Sequence, residues 1–180
     1  MPTHSTALSA PLSAVLVLVL ALSVWFDVRE RRIPNWITAS GLTVALVSRA
    51  FVGLGSVSAG LAGAGLGLAL GVAFFAVGAM GAGDGKLLAT VGALLGLDTF
   101  LWCLPLVGAF GGVLALIVTA RAGTLVPTLL RFKDLMLHFV SFGRIGDRRT
   151  ISQPGAIGVP YGVAVAAGAI TAWLGWGLVP

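Results

Sequence analysis

Long apolar runs separated by short charged segments make up most of the chain. Spanning a bilayer as a helix takes ~20 mostly apolar residues, and the charged residues divide the sequence into six such runs. We predict membrane spans at about 12–26, 36–54, 61–80, 81–97, 99–120 and 160–178, with a Gly/Ser turn over 53–60 before the third. Because only eleven residues separate Lys86 from Asp98, the fourth span has to begin near Gly81. This start places Asp84 at the rim of the membrane.

The segment 121–159, between the fifth and sixth runs, is the one substantial stretch expected to face water. Within it apolar residues recur at helical spacing: Leu125, Leu129, Phe132, Met136 and Phe139. This pattern predicts an amphipathic helix that lies in the membrane interface and also carries His138. The predicted fold is therefore all-α: a polytopic membrane protein with six transmembrane helices and one cytoplasmic interfacial amphipathic helix, forming a single domain over 1–180.

Composition supports a membrane protein and excludes other classes. Hydrophobic residues make up 58% of the chain and charged residues only 9%, against ~25% charged in an ordinary soluble domain. This excludes a cytosolic enzyme, a disordered chain and a DNA-binding module. The net charge of +5 does not indicate a nucleic-acid partner, because the basic residues are not clustered on a water-facing domain. A single cysteine, Cys103, allows neither an internal disulfide nor a cysteine-based metal site, and we expect no metal and no cofactor.

The distribution of Lys and Arg predicts the orientation in the membrane. With the segment 27–35 on the cytoplasmic side, six alternating spans place every Lys and Arg except Arg49 on that side. By the positive-inside rule, both termini are then expected outside. Because Arg29, Arg31 and Arg32 follow the first apolar run instead of preceding it, the run is interpreted as a span and not as a cleaved signal peptide. Topology alone accounts for the positive charge.

Two of the six acidic residues are placed where chemistry is expected. Asp27 ends the first run and Asp84 opens the fourth, on the same predicted face, whereas Asp98 is assigned to an outer loop. Ionisable groups at such depth are costly and therefore suggest function. The structural alternatives are a helix cap for Asp84 and a boundary charge that reaches water for Asp27. As a neighbouring pair, one carboxyl would keep a proton, and the two could activate water and protonate a leaving amine, as aspartic proteases do.

Glycines are predicted to allow two kinds of close approach. Gly81, Gly83 and Gly85 flank Asp84, where a side chain would keep backbone or substrate away from the carboxylate. In the third run a small-residue stripe is expected to let a neighbouring helix pack closely. Its members are Gly63, Gly67 and Gly71.

Two motifs give the chain a family resemblance. The first is D-x-R-x-x-x-I-P-N, formed by Asp27, Arg29, Ile33, Pro34 and Asn35. The second is G-x-G-D-x-K, formed by Gly81, Gly83, Asp84 and Lys86. In this order and on one predicted membrane face, they resemble the type IV prepilin peptidase family. The step Pro160, Tyr161, Gly162 before the last span is similar to compact members that serve Flp/Tad pili.

The resemblance implies that Asp27 and Asp84 are the catalytic pair of a leader peptidase in the bacterial inner membrane. Its partners would be membrane lipid and a prepilin, cut after the Gly that ends a short basic leader at the cytoplasmic edge. Larger members carry an extra methyltransferase domain, often with paired CxxC motifs. This chain has neither the length nor the cysteines, so we expect no N-methylation.

The supporting residues have two interpretations each. Arg29 and Lys86 each stand two positions after a predicted catalytic Asp, where they either hold one carboxylate ionised or anchor the topology. Pro34 and Asn35 are expected to turn the chain into the second span and not to touch substrate, because Pro suits a first helical turn.

Two other functions are compatible with intramembrane acids. A small ion- or proton-coupled carrier would use them to bind ions, but carrier acids usually sit near the midplane beside broken helices, and these two are predicted at one interface. An intramembrane protease of the presenilin type would need a Tyr-Asp pair in a span and a Pro-Ala-Leu step near the last one. The sequence has neither at those places.

Overall fold

The computed structural model describes residues 10–76, 80–125, 130 and 160–176. The elements in these ranges are α1 (Ala10–Glu30), α2 (Asn35–Val52), α3 (Leu54–Ala76), α4 (Ala82–Leu95), α5 (Leu97–Arg121) and α6 (Tyr161–Trp176). The described part of the chain is helical and contains no strand, which confirms the all-α class. The predicted interfacial helix, with His138, falls mainly in 126–129 and 131–159, which lie outside the described residues.

Within the described residues, three helices are long and apolar enough to cross a membrane: Pro11–Glu30, Leu54–Ala76 and Leu97–Arg121. A shorter apolar helix covers Tyr161–Gly175. These lengths and compositions are those of a membrane protein, while the number of six spans stays a prediction. The fourth helix, α4, has 14 residues and is therefore about 21 Å long at ~1.5 Å per residue, against ~30 Å for the hydrocarbon core of a bilayer.

Helix boundaries differ from the predicted pattern at three places. The predicted Gly/Ser turn over 53–60 is wrong, because only Gly53 lies outside the helices, with φ 133°. The first helix continues past Phe26, so Asp27 lies inside α1. Asp98 is not in a loop but lies exposed in the first turn of α5, where an acid suits the positive end of the helix dipole. The helix over 54–60 forms despite the low helix propensity of its glycine and serine residues.

Close packing between α3 and α4 follows the glycine stripe of α3. Gly63 lies against Gly92 of α4. A Cβ atom at Gly67 would lie 2.5 Å from the Leu88 carbonyl oxygen, and one at Gly71 would lie 2.5 Å from the Gly85 Cα. Such distances leave no room for a side chain. The predicted close approach along the glycine stripe is confirmed, and the neighbouring helix is α4.

The α4 helix occupies the centre of the bundle. It packs against α1, α2, α3 and α6, and every residue from Leu87 to Leu95 is buried. It therefore has no polar face, as expected for a helix surrounded on all sides. Its first turn, which carries Asp84, is held by the same neighbours.

Arg49 of α2 holds the far end of α4. The guanidinium is buried and donates from Nε to the Ala93 carbonyl at 2.7 Å and from Nη2 to the Leu94 carbonyl at 2.9 Å. Nη1 donates to the carbonyl and hydroxyl oxygens of Ser56 in α3. The Ala93 and Leu94 carbonyls lie at the negative end of the α4 dipole, so this helix terminus compensates the buried charge of Arg49. Arg49 therefore ties α2, α3 and α4 together.

The described residues fall into two compact units. One lies within Met1–Gly111 and Pro160–Pro180, and the other within Gly112–Val159. In the first unit, α5 also packs on α6, because a Cβ atom at Gly168 would lie 2.5 Å from Val107 Cγ2. All the predicted site residues belong to this first unit.

We expect Gly67→Ala to destabilise the bundle, because its methyl group would push α3 away from the Leu88 backbone. The loss should be about 1–3 kcal/mol, as for other overpacked sites, and should lower the melting temperature in detergent by several degrees. The matched control is Gly65→Ala, since a Cβ atom at Gly65 meets nothing within 4 Å. Removing a helical glycine there should leave stability unchanged or raise it by up to about 1 kcal/mol. Equal melting temperatures for the two variants would contradict the α3–α4 packing.

Candidate active site

The two sequence motifs meet at the corner between α1 and α2. Ile33 is buried and lies against the start of α4, where a Cβ atom at Gly83 would be 3.4 Å from the Ile33 Cβ. Lys86 Nζ donates a hydrogen bond of 2.8 Å to Asn35 Oδ1. These contacts join segments about fifty positions apart, so the first motif packs against the helix that carries Asp84 and stabilises its position.

The backbone of this corner explains several of the motif positions. Arg31 adopts a left-handed conformation with φ 50° and donates its N–H to the Asp27 carbonyl at 3.0 Å, which ends α1. Pro34 is extended and caps α2, and Asn35 is the first residue of α2. Pro34 and Asn35 therefore turn the chain into the second helix, as expected. The amide of Asn35 has an additional role as the acceptor for Lys86.

Asp27 is buried against the start of α6. The residue is only 6% exposed, and its Oδ2 accepts a hydrogen bond of 2.7 Å from the Gly162 N–H. The first turn of α6 has no acidic residue of its own, so Asp27 satisfies one of its free N–H groups and faces the positive end of its dipole. The interpretation of Asp27 as a boundary charge reaching water is therefore wrong.

Glycine at position 162 is a steric requirement of this contact. A Cβ atom there would lie 2.7 Å from Asp27 Oδ2 and 3.1 Å from Asp27 Cβ. Any larger side chain would displace the carboxylate.

Asp84 is the third residue of α4 and lies partly buried at its N-terminus. Its Oδ2 accepts a hydrogen bond of 3.3 Å from the Gly81 N–H. Asp84 thus does cap the helix, as its structural interpretation predicted. The cap occupies one carboxylate oxygen only, so the role of a cap and a chemical role are compatible.

The two carboxylates lie on neighbouring helices, Asp27 in the last turns of α1 and Asp84 in the first turn of α4. The helices α1 and α4 pack against each other, and Asp27 is within electrostatic range of Asp84. The Tyr161 phenol is also within electrostatic range of Asp84. A glycine N–H holds Oδ2 of each carboxylate. Within the described ranges Oδ1 of each accepts no hydrogen bond, so each Asp keeps one oxygen available.

The structure does not bring every predicted supporting residue to the pair. The Arg29 guanidinium stacks over the Trp25 ring, 4.2 Å from its centroid, and Lys86 is engaged by Asn35. The cation whose charge acts on Asp27 is Arg31. Gly85 contacts Gly71 of α3, so its lack of a side chain serves helix packing.

Sequence reasoning missed the contacts of Gly162, Arg31 and Arg49. The sequence Pro160, Tyr161, Gly162 was noted only because it resembles compact family members. No spacing rule connects it to Asp27. Among the described residues, no group of three or more His, Cys, Asp or Glu side chains could hold a metal ion.

The family model of the type IV leader peptidases matches residues 14–127, more than half of the chain, and includes both Asp27 and Asp84. The chain therefore belongs to the type IV leader peptidase family, whose members are aspartic peptidases. No curated protein and no solved structure matches the chain.

We expect Gly162→Ala to impair leader-peptidase activity while the protein stays folded. The added methyl group has to move the Asp27 carboxylate, which is predicted to be catalytic, and misplacing a catalytic group by about 1 Å can cost on the order of 100-fold in rate. We therefore expect cleavage to fall by about 10- to 100-fold. The control is Gly175→Ala in the same helix, where a Cβ atom meets nothing within 4 Å. Cleavage assays and melting temperatures of both variants test this. Full activity of Gly162→Ala would show that its contact with Asp27 is dispensable.

Proposed function

We propose that this protein is a membrane-embedded aspartic endopeptidase that removes the short basic leader from type IV prepilins of the Flp type. The observation that carries the proposal is that the two motif carboxylates of this leader-peptidase family member lie on helices that pack together, Asp27 in the last turns of α1 and Asp84 in the first turn of α4. Asp27 and Asp84 are the proposed catalytic residues. The proposed substrate is the prepilin leader together with the transmembrane helix that follows it.

The proposed reaction uses one carboxylate and one carboxylic acid. The ionised group takes a proton from a water molecule as the water oxygen attacks the scissile carbonyl carbon, while the protonated group donates its proton to the carbonyl oxygen. When the tetrahedral intermediate collapses, the C–N bond breaks. The leaving nitrogen then takes the proton that the first carboxylate had accepted, and the intermediate hydroxyl returns its proton to the second, which restores the pair.

The glycine N–H contacts give the two oxygens of each carboxyl group different roles. The bonds from Gly162 and Gly81 orient Oδ2 of each Asp without using side chains that would compete for the proton. Oδ1 is then the oxygen that meets water or substrate. Donors fixed before the reaction cost no reorganisation during it.

We place the site at the cytoplasmic face of the bacterial inner membrane, with both termini outside. Exposed cations cluster at this end of α1, at Arg29, Arg31 and Arg32, as the positive-inside rule requires of a cytoplasmic end. Exposed aromatic rings lie at the same level, with Trp25 55% and Trp36 57% exposed. Trp rings favour the membrane interface, where a leader emerging from a transmembrane helix would meet the two carboxylates.

Family membership favours a peptidase over the alternative of an ion-coupled carrier. The position of the acids supports the same choice. Asp27 lies in the last turns of α1 and Asp84 in the first turn of α4, whereas ion-binding acids of carriers usually lie near the midplane.

We expect Asp27→Asn and Asp84→Asn each to abolish leader cleavage, because each removes one of the two groups that move protons. The loss should be about 100- to 10,000-fold. Both proteins should remain folded, because an amide can still accept the glycine N–H bonds. The matched control is Asp98→Asn, which changes an exposed acid at the start of α5 and should leave cleavage unchanged.

The experiment is co-expression of each variant with a Flp-type prepilin, followed by mass analysis of the pilin N-terminus. Substantial cleavage by either catalytic variant would contradict the assignment of the pair. Failure of the unaltered enzyme to cut prepilins, with the protein folded in the membrane, would contradict the proposed substrate.

A further inference from the structure

The buried stripe of α1 changes from apolar to polar as it approaches Asp27. The stripe consists of Leu12, Leu16, Val19, Leu20, Ser23 and Asp27. The last polar residue before Asp27, Ser23, has a solvent exposure of 0%. Ala would fill this position without a polar group, so the hydroxyl needs an explanation.

Ser23 Oγ is the one buried side-chain nitrogen or oxygen in the described residues that has no hydrogen-bond partner. A hydroxyl in a helix normally satisfies itself by donating to the carbonyl four residues earlier. Five other described residues do so: Ser40 to Trp36, Thr43 to Ala39, Thr90 to Lys86, Thr119 to Ala115 and Thr171 to Ala167. Ser23 does not use this bond, and an unpaired buried hydroxyl is destabilising. Its proton is free for another acceptor.

The nearest acceptor expected on the same helix face is Asp27. Residues four positions apart are neighbours on a helix, and side chains lean towards the helix N-terminus, so the Asp27 carboxylate leans over the turn that carries Ser23. Gly162 occupies Oδ2 of Asp27 at 2.7 Å, and Oδ1 accepts no hydrogen bond within the described ranges. An unpaired donor thus lies one turn below a carboxylate oxygen without a donor.

We propose that Ser23 is a positioning residue of the active site, whose hydroxyl donates a hydrogen bond to Oδ1 of Asp27 during the reaction. The Cβ atoms of residues four positions apart on a helix are about 5–6 Å apart. Rotation about χ1 of Ser23 is therefore the movement by which its hydroxyl would reach Oδ1 of Asp27. Gly162 of α6 then holds one oxygen of Asp27, and Ser23, on the same helix as Asp27, holds the other. Ser23 touches no substrate and acts only through Asp27. The inference rests on the proposed function.

The decisive variant is Ser23→Ala, which removes the hydroxyl and leaves the packing volume almost unchanged. A hydroxyl that positions Asp27 predicts a kcat about 10-fold lower or more, given the strength of hydrogen bonds to charged groups, with KM unchanged. A hydroxyl without a role predicts the opposite signature: unchanged kcat and a protein that is equally stable or more stable, because an unpaired buried group has been removed.

Two further variants complete the test. Ser23→Thr keeps the hydroxyl and should recover at least part of kcat relative to Ser23→Ala. Ser40→Ala removes a hydroxyl of α2 that donates to its own helix at 2.6 Å, and it should leave kcat unchanged. The assay is steady-state cleavage of a purified prepilin in detergent, with melting temperatures measured in parallel.

Wild-type kcat in Ser23→Ala would overturn the role of Ser23 while leaving the proposed function intact. So would a kcat in Ser23→Thr as low as in Ser23→Ala with an unchanged melting temperature. Absence of prepilin cleavage by the unaltered enzyme would instead overturn the proposed function. The two failures are therefore distinguishable.

Discussion

A carboxylate inside an apolar helix bundle requires a polar partner, and the contact between Asp27 and Gly162 meets this requirement. An unpaired buried charge is among the most costly features a protein can have. Here the partner is the N–H group at the start of α6, at 2.7 Å from Oδ2. The contact determines that α6, 135 positions further along the chain, packs on α1, and that position 162 has no side chain. The position of Asp27 is consequently defined by backbone, which is more rigid than a side-chain partner.

Asp84 is placed by a different set of contacts that all act on α4. The glycine stripe of α3 fixes α4 along its length, and Arg49 holds its C-terminal end through the carbonyl oxygens of Ala93 and Leu94. At the N-terminal end, the α1–α2 corner contacts Gly83 and Lys86. A helix held at both ends and along one side can carry a carboxylate at its first turn with little freedom. The two motifs therefore pack against each other and position α4, in addition to supplying the two carboxylates.

Much of this arrangement could be predicted from the sequence, because it depends on local patterns. Apolar runs bounded by charges indicated the helices, and the spacing of Gly63, Gly67 and Gly71 predicted a closely packed neighbour. The two acids at run ends stood out because so few charges exist in the chain.

The remaining features depend on which helices are neighbours, which local patterns do not reveal. The segment 53–60 has the composition of a turn, yet it is helical from Leu54 onward, and a Cβ atom at Gly60 would lie 3.3 Å from the Ala93 carbonyl oxygen of α4. Arg49 was assigned to the outer face by charge counting alone. Its partners are three backbone carbonyls and the Ser56 hydroxyl, and such uncharged groups leave no trace in the charge pattern. The contact of Gly162 with Asp27 is hidden from the sequence for a similar reason. Every residue except proline has a backbone N–H group, and only the fold determines which one lies beside Asp27.

The central claim is that Asp27 and Asp84 work together as one pair, and cross-linking tests it most directly. A single water can bridge both carboxylates only if their oxygens come within about 6 Å, two hydrogen-bond lengths. Cysteines would replace both residues, as Asp27→Cys and Asp84→Cys, with Cys103→Ala removing the native thiol. A short bifunctional thiol reagent should join them, and the control pair Asp27→Cys with Asp98→Cys, about one α4 length apart, should not react. Efficient cross-linking of the first pair alone is the predicted result. Failure of that pair to cross-link, even with prepilin bound, would mean that the two carboxylates never assemble and would contradict the account.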